Sequence, residues 1–206
     1  MQMQQMQQIK ERERARRRRR RLSFAAGVLV PVAIIVAVLI ATSGGKHKGP
    51  QGKANASTRL PKLGGSFAYS SIGVSGSLPK GWRATQNARG SLVRLTSADR
   101  GAVIAIGTDR AATNPKGVLD SALSTARSTY HPQRVQRLPR ARLGGLPAQD
   151  AVLFGRNRGG VPIRVLLASA RGRKLTYLLE VFTAQASPAL RLLEAQQILL
   201  ALRLTG

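Results

Sequence analysis

The sequence predicts an α+β domain in which two helices pack on a mostly antiparallel sheet. The strand-like runs fall into two groups, and each group is followed by one helical segment, rather than alternating singly with helices as in parallel α/β folds. Within each group the runs are separated by short turn clusters, which is the pattern of hairpins. Each helical segment opens on a polar residue followed by proline, a common helix start.

The first group of strand-like runs lies between Ser66 and Asp109. "SFAYS" and "GVSGSLP" are short β candidates ending at Pro79, and "KGWRAT" follows them. "SLVRLTS" and "GAVIAIGTD" are apolar and rich in β-branched residues, and "ADRG" between them is a hairpin turn signal. The group therefore predicts a meander of antiparallel strands.

A helix is predicted after this meander. Asn114 is the expected N-cap, Pro115 occupies the first helical position, and His131-Pro132 ends the segment. The apolar residues recur with helical spacing and predict one buried face: Leu119, Ala122, Leu123, Ala126 and Tyr130.

The second group begins with "RVQRLPR" and continues with "AQDAVLFGR", "VPIRVLLASAR" and "KLTYLLEVFTA", with turn clusters "NRGG" and "RGRK" between the last three. Ser187 and Pro188 then repeat the cap arrangement and predict a closing helix. Its expected buried stripe consists of Leu192, Ala195, Leu199 and Leu202.

The amino-terminal segment predicts a membrane anchor. Eighteen uncharged residues, beginning with Phe24 and ending with Ala41, would span roughly 27 Å as a helix, close to the thickness of the hydrocarbon core. Six arginines precede this span and, by the positive-inside rule, are expected to stay in the cytoplasm near anionic lipid: Arg16, Arg17, Arg18, Arg19, Arg20 and Arg21.

Two alternatives to an anchor stay open. The "ATS" before Gly44 offers small residues for signal-peptide cleavage, although eighteen apolar residues exceed the usual length of such a segment, about 7 to 15. The arginines could instead form a nucleic-acid arm, which the absence of aromatic residues in 1–21 disfavours. The expected organisation is a basic cytosolic tail at 1–22, a transmembrane helix at 23–42, a flexible linker at 43–65 and an extracytoplasmic domain at 66–206.

The charge of the chain predicts an anionic partner. The formal net charge is +26, and residues 65–206 alone hold twenty Lys and Arg against six Asp and Glu. Such an excess favours anionic lipid, wall polymer or an acidic protein, with nucleic acid disfavoured by the predicted location. The candidate surface for this partner comprises Arg134, Arg137, Arg140, Arg142, Arg156, Arg158, Arg171, Arg173 and Lys174.

The inventory of catalytic residues is small, and it predicts a protein that is not an enzyme and carries no cofactor or metal. There is no cysteine, and His131 is the one histidine outside the predicted linker. The acids of the domain are scattered without the close pairs that acid–base or metal chemistry uses. The pairs Gly64-Gly65, Gly144-Gly145 and Gly159-Gly160 are interpreted as turns, and the lone tryptophan, Trp82, as a packing residue.

Four stretches resemble the PsbP-like fold, which extrinsic photosystem proteins, the yeast Ran-binding Mog protein and many bacterial exported domains share. They are "SLPKGW", "LGGLPAQDAVLFGR", "KLTYLLEV" and "SPALRLLEAQQILLALRL". The resemblance implies an α-β-α sandwich that acts as a binding or assembly module, with no catalytic residues to carry over. The anchor and the basicity depart from the photosystem members, so their partner does not transfer.

Together these observations favour a membrane-anchored, extracytoplasmic, non-enzymatic binding module on a bacterial single-pass anchor. The alternatives are a cytosol-facing basic protein that binds nucleic acid and a hydrolase. A hydrolase would require a pocket that gathers His131, a carboxylate and a hydroxyl side chain.

Overall fold

The computed structural model describes residues 61–206, apart from the side chains of Pro139 and Arg140. The predicted tail at 1–22 with its six arginines, the span at 24–41 and all but the end of the 43–65 linker lie outside these residues. In the part of the chain that is described, no helix is long and apolar enough to cross a membrane.

Within residues 61–206 the chain forms ten strands, two α-helices and one 3-10 turn. In chain order these are β1 (Leu63–Tyr69), the 3-10 turn (Ser70–Ile72), β2 (Val74–Pro79), β3 (Arg83–Gln86), β4 (Leu92–Thr96), β5 (Ala102–Asp109), α1 (Pro115–Tyr130), β6 (Arg134–Leu143), β7 (Leu146–Arg156), β8 (Pro162–Arg171), β9 (Thr176–Ala184), α2 (Ala189–Ala201) and β10 (Arg203–Leu204).

Seven strands form one large sheet in the order β3-β4-β5-β9-β8-β7-β6, and β1, β2 and β10 form a small one. Every pairing is antiparallel, so the predicted α+β class with a mostly antiparallel sheet is confirmed. The central strands β5 and β9 pair over their whole lengths, from Ala102 opposite Thr183 to Asp109 opposite Thr176. Their continuous apolar sequences follow from this position, because both faces of these strands are covered.

The two helices cover opposite faces of the large sheet. Helix α1 packs over β7, β8 and β9, where Leu119 and Ala126 meet Leu153 and Phe182. Helix α2 covers the other face together with the small sheet, and this second core includes Ile198. The small sheet beside α2 was not predicted as a separate sheet, because its third strand, β10, is only two residues long.

The predicted start and end of α1 are confirmed. The Asn114 side-chain oxygen accepts a hydrogen bond from Lys116 N at 3.0 Å, which satisfies one of the free N–H groups at the helix start. His131 adopts the left-handed conformation, with φ 42°, and its N–H donates to Arg127 O. This is a helix-ending arrangement that closes the last turn.

The predicted cap of α2 is wrong. Pro188 occupies the N-cap position without a side-chain cap, and Ser187 instead donates its hydroxyl to Gly101 O at 2.9 Å. The predicted buried stripe is confirmed at Ala195 and Leu202, whereas Leu192 and Leu199 are only partly buried. Glu194 and Ile198 are buried in addition. The Glu194 carboxylate is directed inward as the hydrogen-bond acceptor of Trp82.

Of the glycine pairs interpreted as turns, one lies in the predicted turn and another lies inside a strand. Gly144 and Gly145, with φ 57° and 90°, form the predicted turn between β6 and β7, where both residues need a positive φ. Gly64-Gly65 is not a turn: it lies inside β1, at a register irregularity opposite β2. The strand therefore begins at Leu63, two residues before the expected end of the linker.

Candidate functional site

The nine basic residues predicted as one surface are divided by the fold. The β7–β8 turn carries Arg156 and Arg158, and the β8–β9 turn carries Arg173 and Lys174 with Arg171 just before them. These two turns lie at opposite ends of the antiparallel strand β8, and therefore at opposite ends of the sheet. The remaining four belong to β6, which is an outer edge of the large sheet: Arg134, Arg137, Arg140 and Arg142.

The arginines of β6 have a structural use at the sheet edge. An unpaired edge strand exposes N–H and C=O groups that could pair with another chain, and charged side chains, proline and bulges prevent this. β6 contains Pro139 and a register irregularity between Leu138 and Ala141 as well as its arginines. Arg137 also pairs with Asp120, and hydrogen bonds from Lys116 and Arg137 hold the pKa of Asp120 below its usual range.

Arg171 is also engaged within the domain. Its guanidinium donates to the Ala112 carbonyl at 2.9 Å and to the Thr176 hydroxyl at 3.1 Å. These bonds fasten the end of β8 to the segment that connects β5 to α1. Arg171 therefore contributes to a partner surface mainly through its charge.

A cleft at the β8–β9 end of the sheet, here the basic cleft, is the best candidate binding site. Its volume is about 530 Å³, in the range of small-molecule sites. Four segments that are distant in sequence meet there: the connection between β1 and β2, the residue after β5, the β8–β9 turn and the carboxy-terminal residues. The lining comprises Ser70, Ser71, Gly73, Arg110, Arg173, Lys174, Leu175, Thr205 and Gly206.

The hydroxyl of Tyr177 connects two of the segments that form the basic cleft. The Tyr177 ring is fully buried, and its hydroxyl donates to Ile72 O at 3.0 Å and accepts from Gly206 N at 2.8 Å. Thr205 N donates to Gly73 O, and Arg173 N donates to Gly206 O at 2.7 Å. Gly73 is required at its position because it has φ 60° and a Cβ there would lie 2.6 Å from Gly206 N.

The side chains that line the basic cleft carry an excess of positive charge. Among the described side chains, the ion pairs join acids only to Lys116, Arg137 and Arg191. The cleft lining holds three cations and no Asp or Glu side chain: Arg110, Arg173 and Lys174. Several cations converging on hydroxyl and backbone donors can bind a phosphate or carboxylate group. The basic cleft is therefore a candidate anion site.

Sequence reasoning missed Arg110 as a member of this site. It is more than sixty residues from Arg173 along the chain. The pairing of Asp109 with Thr176 brings the end of β5 beside the β8–β9 turn, and the sequence gives no signal of which strands are neighbours in the sheet.

The acids and His131 are not assembled into an acid–base or metal site in the described part of the chain. Asp99 accepts from Ser97 and Arg191, Asp109 accepts from two backbone N–H groups, and Asp120 pairs with Lys116 and Arg137. Residues 61–206 contain no cluster of three or more potential metal ligands. His131 lines a different cleft, which also holds Ser128 and Thr129 but no carboxylate side chain among the described residues.

Trp82 is confirmed as a packing residue. Its side chain is buried in the core beneath α2, and its indole N–H donates to Glu194 Oε2 at 2.9 Å. Arg191 connects the same carboxylate to Asp99 in the turn between β4 and β5. The tryptophan therefore belongs to a buried network that fixes α2 on the sheet.

Comparison with known proteins finds similar solved structures. No protein-family model and no curated protein matches the sequence. A protein of Bacteroides thetaiotaomicron is similar with a TM-score of 0.47 and 12% identity, over 70% of this chain and 50% of its own, so the chain spans half of its length. The Saccharomyces cerevisiae Ran-binding protein Mog1p gives a TM-score of 0.49 and 8% identity, over 70% of this chain and 97% of its own.

Cyanobacterial PsbP (CyanoP) from Synechocystis gives a TM-score of 0.48 and 10% identity, over 76% of this chain and 99% of its own. Because Mog1p and PsbP are among the similar structures, the resemblance to the PsbP-like fold is confirmed. With every one of these TM-scores below 0.5, the comparison carries no argument about function.

Proposed function

We propose that this chain is a single-pass membrane protein whose folded domain lies outside the cytoplasm and binds an anionic partner without catalysing a reaction. The observation that supports this proposal is the basic cleft, which is lined by Arg110, Arg173 and Lys174 and by no Asp or Glu side chain. The membrane location rests on the apolar segment at 24–41 and the six arginines before it, which remain predictions.

The partner that best suits the basic cleft is a phosphate-bearing polymer or lipid headgroup. Binding that depends on charge requires few shape-specific contacts, and the cleft offers cations beside three hydroxyl side chains: Ser70, Ser71 and Thr205. Wall polymers and membrane headgroups both present phosphate diesters outside the cytoplasm. An acidic protein remains a further candidate, because carboxylates accept hydrogen bonds from the same donors.

We expect the double variant Arg173→Gln/Lys174→Gln to bind poly(glycerol phosphate) about ten- to a hundredfold more weakly than the natural chain. Each lost charge-assisted bond contributes on the order of 1.5 kcal/mol, and a tenfold change corresponds to about 1.4 kcal/mol. The measurement is titration of the full chain, held in nonionic detergent micelles, with the polymer at low and high salt. Binding by the natural chain is expected to weaken with salt.

The matched control is Lys80→Gln/Arg100→Gln, which also removes one lysine and one arginine. Both residues are exposed, and neither lines the basic cleft. A loss in the control as large as in the cleft variant would mean that net charge, and not the cleft, carries the binding. Affinity that does not change with salt would contradict an electrostatic mechanism altogether.

The side of the membrane on which the folded domain lies can be tested separately with a reporter fusion. Alkaline phosphatase fused to the carboxy terminus is expected to be active, because this reporter folds only outside the cytoplasm. Replacing all six arginines of 16–21 by glutamine is expected to reduce that activity, because the positive-inside bias would be lost. A fusion that is inactive although the protein is present in the membrane would place the domain in the cytosol and favour the nucleic-acid alternative.

A further inference from the structure

Asn157 is a buried asparagine with an unsatisfied donor. Asn157 lies in the β7–β8 turn and is only 5% exposed. Its backbone N–H donates to Val161 O, its carbonyl accepts from Gly160 N, and its side-chain oxygen accepts from Val161 N at 2.9 Å. The side-chain nitrogen, Nδ2, is buried and has no hydrogen-bond partner.

The orientation of this amide is determined by the turn. If the amide were flipped, its NH₂ group would face the Val161 N–H, donor against donor, so the observed assignment is the one with a satisfied bond. Buried polar groups are nearly always paired, and an unpaired one costs about 1–3 kcal/mol. The fold therefore supplies no acceptor for the Nδ2 group among the described residues.

Asn157 lines a cleft of about 680 Å³ between the carboxy-terminal end of α1 and the β7–β8 turn. Arg156, Arg158 and His131 also line it, and no Asp or Glu does within the described residues. Arg156 is oriented across the turn because its guanidinium donates to Gly160 O at 2.8 Å, which leaves further N–H groups available. Arg158 is exposed and makes no ion pair or hydrogen bond among the described residues.

Gly155 allows the end of α1 to pack closely against the backbone of β7 beside this cleft. A Cβ at this position would lie 2.6 Å from Tyr130 O and 3.2 Å from the Pro132 backbone, so the end of α1 rests directly on the backbone of β7. The carboxy-terminal end of a helix carries about half a negative charge, which alone would disfavour an anion. Two arginines carry two full positive charges, so the net field in the cleft is positive.

We propose that this cleft is a binding site for a phosphoryl group, with Asn157 Nδ2 as its buried donor and Arg156 and Arg158 as its cations. Three donor side chains at separate positions match a phosphoryl group, whose phosphorus carries four oxygens in tetrahedral directions, better than a planar carboxylate, which has two oxygens in one plane. The volume suits a ligand of small-molecule size. This site lies at the opposite end of the sheet from the basic cleft and does not depend on it.

The test is phosphorus NMR of methyl phosphate and dimethyl phosphate added to the full chain in nonionic detergent micelles, with acetate and inorganic phosphate as competitors. Binding of the monoester indicates a soluble phosphorylated molecule, whereas binding of the diester alone indicates a polymer or lipid headgroup. Either result supports a phosphoryl site. Absence of binding for both phosphates, or acetate competing as well as inorganic phosphate, would overturn the assignment.

The decisive variant is Asn157→Asp, which keeps an oxygen acceptor for Val161 N–H but replaces the unsatisfied NH₂ by a carboxylate oxygen. We expect at least a tenfold loss of phosphate affinity with the turn preserved. Arg158→Gln, at an exposed position without an ion pair or hydrogen bond among the described residues, is expected to weaken binding about five- to twentyfold and serves if Asn157→Asp does not fold. Arg173→Gln, in the basic cleft, is the matched control.

Unchanged affinity in Arg158→Gln, or an equal loss in Arg173→Gln, would show that the phosphate is attracted by the overall charge and not by this cleft. Because Arg173→Gln alters only the basic cleft, failure here and failure of the proposed polymer binding are separate results.

Discussion

Replacing Glu180 by glutamine is expected to remove a pH dependence of several kcal/mol from the stability of the domain. Glu180 lies in the middle of β9, is 4% exposed, and its Oε2 atom has no hydrogen-bond partner. Burial away from water disfavours the charged form and raises the pKa of this carboxyl from 4.5 to about 8. The folded chain therefore holds a proton there at neutral pH that the unfolded chain releases.

The sign of the effect follows from proton binding. Between pH 4.5 and about 8 the native state binds one more proton at Glu180 than the unfolded state, so the free energy of unfolding falls as pH rises through this window. A difference of some three and a half pKa units corresponds to about 5 kcal/mol, as an order of magnitude. The contribution is fully favourable below pH 4.5 and is lost above pH 8.

The surroundings of Glu180 do not cancel this effect. Tyr130 of α1 lies close enough for the charge of Glu180 to raise the Tyr130 pKa further, beyond the larger effect of burial, and Arg158 acts in the opposite direction on the same tyrosine. Arg94 shares the sheet face with Glu180, but Ala105 stands between them in the register. No ion pair joins Arg94 to Glu180 among the described residues, and Arg94 Nε is buried without a hydrogen-bond partner.

The measurement is thermal or denaturant unfolding of the full chain in micelles, followed by tryptophan fluorescence from pH 4.5 to 8.5. Glu180→Gln is expected to match the natural chain at the acid end and to be more stable at the alkaline end. Asp109→Asn, at a partly exposed carboxylate, is the control for a general charge effect. Parallel profiles for the natural chain and Glu180→Gln would show that Glu180 is ionised in the folded state.

Trp82→Ala is expected to lower the free energy of unfolding by about 3–5 kcal/mol, the range found when a large buried aromatic side chain is truncated. Trp82 is 7% exposed and packs in the core that α2 and the small sheet form on the large sheet. Truncation would also remove the indole donor from the buried Glu194 carboxylate, which would then depend on Arg191 alone.

Trp82→Phe separates the two contributions. Phenylalanine keeps most of the ring packing and removes the N–H donor, so we expect a loss of about 1–2 kcal/mol. Chemical denaturation followed by circular dichroism gives both values, because the fluorescence of the only tryptophan is lost in these variants. A cost below 1 kcal/mol for Trp82→Ala would contradict the structural role and reopen the interpretation of Trp82 as a binding residue.

The fold was predictable where local chemistry decides the conformation. Asn114-Pro115 defined the start of α1, and the "RGRK" cluster and Gly144-Gly145 defined two hairpin turns. The cap predicted at Ser187 failed because its hydroxyl serves the backbone of Gly101, 86 residues away. Gly64-Gly65 was misread because glycine pairs are accepted in an irregular edge strand as readily as in a turn.

The candidate sites were predictable only in part, because they also depend on contacts between segments that are distant in the sequence. Arg173, Lys174, Arg156 and Arg158 were identified as basic turn residues, but their separation into two clefts depends on the strand order. Arg110 and Asn157 were missed, since the first is brought to its cleft by the pairing of β5 with β9 and the second is distinguished only by burial.

The sequence by itself determined the class of the domain, its helix start, its turns and its excess of positive charge, because these depend on neighbouring residues and on composition. Only the tertiary structure decided which cations line a common cleft and which are used internally, that burial raises the pKa of Glu180, and that Asn157 keeps an unpaired donor. Convergence and burial depend on contacts between segments far apart in the chain, and no local pattern encodes them.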